Sequence, residues 1–202
     1  LKKKKTDHQI RKQEFEELRK VIELDFIKRL VAQHPKPQLR DAERLILEAP
    51  IQEAAVYAAV ELWKLAKHFQ ENGHRFSYRN FLVIAAAIGI ICRGNKCKWT
   101  VRTATNTKWI KGRYPKHCAE MRVMKAMHQR GATIVGMVVM GIPQPEDGTP
   151  TLHPCDLCRL LMRGKYRTLF QPFTRFILVH PDDPRREGYT IGDLMARHLE
   201  HI

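Results

Sequence analysis

Apolar side chains return at Phe15, Leu18, Ile22, Phe26 and Leu30 against a polar background, the three- and four-residue spacing of one helix face. "TDHQ" at 6–9 has the form of a capping box, and "HPKP" at 34–37 ends the run, which predicts a first helix between them. A short helix is predicted over 39–49. Pro50 suits the first turn of a longer helix through "IQEAAVYAAVELWKLAKHFQ", with Leu62, Leu65, Ala66 and Phe69 on one face and Gly73 as its stop. From Phe81 the pattern changes. "FLVIAAAIGII" and "KWTVRTATN" read as strands joined by a turn at "RGNK". A helix over "AEMRVMKAMHQRG", a buried strand over "ATIVGMVVMGI", a short helix over "CDLCRLLMRG", a strand over "TRFILVH" and a Thr-capped helix over "TIGDLMARHLEHI" complete the chain. Strands alternating with helices predict an α/β sandwich around a mostly buried sheet.

The length of 202 residues fits one domain with an appended helical segment, and no apolar run approaches the roughly 20 residues that a membrane-crossing helix needs. The net charge of +15 is uneven. Residues 51–116 hold 12 basic and 3 acidic side chains, and Lys96, Lys98, Arg102, Lys108, Lys111, Arg113 and Lys116 crowd just upstream of the cysteine motifs. Such a surface attracts anions, whether nucleotide phosphates, a polynucleotide or an acidic partner; a solvated basic face is the plainer reading. Five cysteines, three of them in two metal-like motifs, suit a reducing compartment such as the cytoplasm, and two reduced thiols are expected at Cys92 and Cys97 ahead of a disulfide or a second metal site. Because the sequence begins at Leu1, a removed targeting peptide or a trimmed start stays open.

The chemistry concentrates in "PKHCAEM" at 115–121 and "HPCDLC" at 153–158. Cys155 and Cys158 are three residues apart, so the first turn of a helix brings both sulfurs to one point, and Cys118 stands at the mouth of the preceding helix. Helix N-termini stabilise thiolates, and Arg159 beside Cys158 adds compensating charge. Glu120, two residues beyond Cys118, can lie beside a zinc-activated water without binding the metal and carry its proton to a substrate. Ligand, any residue, Glu, then Pro-Cys-x-x-Cys is the arrangement of the zinc deaminases. Two alternatives remain: a redox Cys-x-x-Cys, which leaves Cys118 and Glu120 unexplained, and a structural zinc closed by His117 or His153.

These motifs resemble those of the cytidine deaminase family, which includes blasticidin-S-deaminase-like enzymes. "HCAE" matches its Cys-Ala-Glu and "PCDLCR" its Pro-Cys-x-x-Cys-Arg; "SYRNFLVIAAA" at 77–87 and "YTIGDLMARHL" at 189–199 resemble its opening strand and closing helix. The resemblance covers roughly 51–202 and leaves 1–50 as a helical N-terminal extension. It implies a three-layer α/β/α sandwich with a mixed central sheet, one Zn²⁺ per subunit held by Cys118, Cys155 and Cys158, Glu120 as proton carrier, and a dimer or tetramer. It also implies substrate contacts from Phe81, Asn106 and Ala119, although Phe81 also reads as ordinary core. Lys108 stands where the family has the Glu of an Asn-x-Glu ribose grip, and Ile84, Leu160 and Met195-Ala196 are further departures.

The expected activity is therefore hydrolytic deamination of a cytosine-type base to uracil, foremost in a free nucleoside or nucleotide. Cytosine in single-stranded RNA or DNA, engaged through the basic 64–116 segment, is the alternative, and a non-catalytic deaminase-fold subunit of a basic assembly the third.

Overall fold

The computed structural model describes residues 6–38, 49–74, 76, 81–107, 118–143, 151–183 and 186–196. Helix α1 (Asp7–Gln33) opens on the predicted capping box: the Thr6 side chain accepts from the Gln9 amide, and the Gln9 side chain accepts from the Thr6 amide. Phe15, Phe26 and Leu30 are buried as the periodicity requires, but Leu18 is 41% exposed. The buried arc is displaced because Arg19 and Glu23 turn inward to meet a strand edge, which leaves Leu18 at the margin of the face. Helix α2 (Ala49–Glu71) follows, with Leu62, Ala66 and Phe69 buried. The predicted helix over 39–49 lies, apart from Ala49, outside the described residues.

Strands β1 (Val83–Arg93) and β2 (Lys96–Thr105) form the predicted hairpin. Its turn is Gly94-Asn95, and Gly94 has φ 56°, a left-handed conformation that glycine adopts without steric penalty. A two-residue turn places Cys92 directly opposite Cys97, and the two are joined as a disulfide. This corrects the expectation of two reduced thiols: the hairpin register brings their Cα atoms to 4.1 Å. Helix α3 (Ala119–His128), strand β3 (Thr133–Gly141), helix α4 (Asp156–Arg163), a 3-10 turn (Arg167–Leu169), strand β4 (Phe170–Val179), strand β5 (Arg186–Thr190) and helix α5 (Ile191–Ala196) complete the chain. β4 begins before the predicted "TRFILVH", and β5 was not predicted at all, since "REGYT" has no apolar run. Thr190 caps α5 as predicted, its hydroxyl accepting from the Asp193 amide. The remainder of the predicted last helix, 197–202, lies outside the described residues.

The sheet runs β2-β1-β3-β4-β5, with β3 and β4 parallel and the other pairs antiparallel. At Gly89 a Cβ would come within 2.7 Å of the Thr133 carbonyl, so the register shift between β1 and β3 needs a residue without a side chain there. β1 is buried on both faces. Ile84, Ala86, Ile88 and Ile90 pack with α1 and α2, and Val83, Ala85 and Ala87 with α3 and α4. The result is the expected three-layer α/β/α sandwich. The outer edge of β2 is bound by side chains: Arg19 donates to the Thr103 carbonyl, Glu23 accepts from the Thr103 amide at 2.7 Å, and Arg122 of α3 donates to the Thr105 carbonyl at 2.6 Å.

Candidate metal centre

Helices α3 and α4 begin on cysteines. Cys118 is the N-cap of α3 and Cys155 the N-cap of α4, both with extended backbone and neither making a side-chain cap hydrogen bond. An ordinary cap turns its side chain back onto the first amides; here the sulfurs are left for other partners. Cys158 lies buried in the first turn of α4. The Cys118 and Cys155 sulfurs are 3.9 Å apart, and all three sulfurs lie within 4.8 Å of one another. A tetrahedral ion with bonds of about 2.3 Å to thiolates holds its sulfurs about 3.8 Å apart, so the three cysteines are placed to hold a metal. No fourth donor among the described residues joins them. His153 instead faces Glu187 and the ring of Tyr189. His117 lies outside the described residues.

Hydrogen bonds from Cys118 and then Cys158 hold Cys155 far below the usual thiol range. The same bonds act oppositely on the donors. Donation to Cys155 pushes Cys118 up to about 12, and Cys158 is raised as well. A bound cation would stabilise the thiolates and displace the remaining thiol protons.

Glu120 sits in the first turn of α3 and is buried. Burial is the main cause that pushes its carboxyl up to about 7, and the charge on Cys155 pushes the same way. A carboxyl so poised both accepts and releases a proton near neutral pH. Of the other candidate positions, Ala119 is fully buried between Cys118 and Glu120, and Phe81 is half-buried against the same core. The Asn106 amide is engaged with backbone: its Oδ1 accepts from the Val83 amide and its Nδ2 donates to the Phe81 carbonyl. One N–H and one lone pair remain for any other contact. Arg159 pairs with Asp156 at 2.6 Å, while its Nε is buried without an acceptor among the described residues. Lys108 lies outside the described residues.

Sequence reasoning missed the cluster around Glu23. The signals were present: Arg19 and Glu23 stand at i, i+4 spacing on α1, and Arg102 interrupts the buried run of β2.

No family model matches the chain, and neither does any curated protein at a significant level. Among solved structures, the crystal structure of cytidine deaminase from Mycobacterium leprae aligns over 71% of this chain and 96% of that one, at 17% identity and a TM-score of 0.41.

Proposed function

We propose that the chain is a zinc-dependent hydrolytic deaminase acting on a cytosine-type base. The reading is carried by one observation: three convergent cysteine sulfurs at two helix N-termini, with a buried carboxyl one position past the residue that follows the first of them. A redox pair has no use for the third thiol or the acid. The sequence match to the Cys-Ala-Glu and Pro-Cys-x-x-Cys-Arg motifs supports the same conclusion.

Cys118, Cys155 and Cys158 would hold the ion, and their soft sulfur donors fit zinc. Zinc bound there supplies a water-derived nucleophile at neutral pH. Glu120 moves the protons: one to the ring nitrogen beside the amine-bearing carbon, then one to the departing amine. The C–N bond breaks, a C=O bond replaces it, and ammonia leaves. Two helix N-termini and Arg159 offset the negative charge of the thiolates. Phe81 offers an apolar surface for the base, and the free N–H of Asn106 offers a donor for a sugar. A dimer or tetramer is the assembly that the family resemblance suggests.

The test is a substrate panel on purified protein carrying about one zinc per chain. Ammonia release and uracil formation are measured on cytidine, deoxycytidine, their monophosphates, and cytosine-containing single-stranded RNA and DNA. Turnover of any member supports the reading. Zinc-loaded protein inactive on all of them, or full activity in Glu120→Gln, overturns it.

A further inference from the structure

A second concave region lies between α1, the outer edge of β2 and α3, with a cavity of about 770 Å³. Six cations line it: Arg19, Lys20, Lys98, Arg102, Arg122 and Arg130. The carboxylate among the lining residues is Glu23, and it is already engaged by Arg19, by Arg102 at 2.6 Å, and by the Thr103 amide and hydroxyl. Glu16, at the margin, reaches Arg19 and Arg122. Lys20, Lys98 and Arg130 are exposed and hold no ion pair among the described residues. Burial lowers the pKa of Arg102 and Arg122, and the charges of Arg130 and Arg19 respectively add to it. Six positive side chains against two carboxylates leave a local excess that an anion would relieve.

Three features narrow the choice of anion. Four of the six cations are guanidinium groups, whose planar fork matches phosphate oxygens in pairs. Arg122 lies in α3 and Arg130 two residues past its end, so the cations are spread along this wall, which suits several phosphates in a row rather than one. A cavity of about 770 Å³ walled by two helices is small beside a duplex, which favours a single strand. Its aromatic lining residue, Trp99, is buried and donates its indole N–H to the His34 carbonyl, so it offers no stacking platform. The groove reads phosphates, not bases.

We infer that this groove binds the phosphate backbone of single-stranded nucleic acid. None of the metal-centre residues is among those that line the groove, and Arg122 stands two positions beyond Glu120 on α3, about 200° around the helix. Backbone binding therefore stands apart from the hydrolytic reading.

The test uses the full chain and fluorescein-labelled strands of about 12 nucleotides, oligo-uridine and oligo-thymidine, read by anisotropy. Neither strand contains cytosine, so the result is independent of catalysis. Binding of either strand is expected, weakening between about 50 and about 200 mM salt. The slope of log Kd against log salt should be about 3, the value for four phosphates at about 0.7 each. The triple variant Lys20→Glu, Lys98→Glu, Arg130→Glu should weaken binding by roughly tenfold or more and lower the slope by about 2. A triple reversal elsewhere, Lys12→Glu, Lys64→Glu, Lys165→Glu, should change it less than threefold, about 0.6 kcal/mol. If a reversal variant fails to reach the parent's thermal midpoint, the corresponding Gln substitutions take its place. Absence of binding at low salt, equal loss in both triples, or equal affinity for poly-glutamate of the same length would overturn the proposal.

Discussion

Two carboxylates, Glu23 and Glu120, are each only 4% exposed, yet their surroundings are opposite. Glu23 accepts from two guanidinium groups, an amide and a hydroxyl, and it ties α1 to the edge of β2. Glu120 meets no cation among the described residues and faces three thiols. Burial with full compensation makes a joint. Burial without it leaves a group able to exist in either charge state, which is what the proposed proton carrier requires. The chain thus separates two uses of one side chain by what it places around each.

The comparison breaks first on activity. Glu120→Gln should keep its zinc and lose about a hundredfold to ten-thousandfold in kcat, measured by ammonia release alongside metal analysis. Activity within tenfold of the parent would mean that the buried acid does not handle the protons. For Glu23, the expected loss is of stability. Glu23→Ala strands two half-buried guanidinium groups and should cost about 3–5 kcal/mol in urea unfolding. Adding Arg102→Leu should recover part of that loss, and no recovery would argue against charge as its cause.

Glu120 should also be a liability to the metal-free fold. Its folded pKa of about 7 lies above the ordinary 4.5, so the fold prefers the protonated form. That contribution is complete below the unfolded pKa and disappears as pH rises through the folded value. Glu120→Gln should therefore stabilise the metal-free chain by about 3 kcal/mol at pH 8 and by little at pH 4. A pH-independent difference would contradict the assigned environment. The smallest effect belongs to the hairpin remote from both acids. Cys92→Ser with Cys97→Ser closes no loop and should cost about 2 kcal/mol or less, with zinc content unchanged. Loss of metal in that variant would mean that the hairpin reaches the centre after all.

The legible parts of the sequence were those in which local chemistry decides. Thr6 and Gln9 announced the start of α1, Pro50 and Gly73 bracketed α2, and Cys118, Cys155 and Cys158 fell where helix N-termini must converge. β5 was not legible, because "REGYT" becomes a strand only through pairing with β4. Leu18 was misread for a related reason: which arc of a long helix is buried depends on Arg19 and Glu23 finding Thr103, eighty-odd residues away. Cys92 and Cys97 could have been paired once "GN" was read as a two-residue turn, since that turn fixes who stands opposite whom. The cationic groove was visible only as a surplus of charge. Its walls come from three separated segments, and their meeting is a tertiary fact.

The way α1 closes the rim of β2 sets a condition on the whole molecule. Side chains, not another strand, take up the Thr103 amide and carbonyl, so no second chain can extend the sheet on that side while α1 is seated. Removal of α1 would leave the Thr103 amide and carbonyl open at a sheet edge, a template for pairing with a second chain, so α1 guards that edge as well as walling the groove.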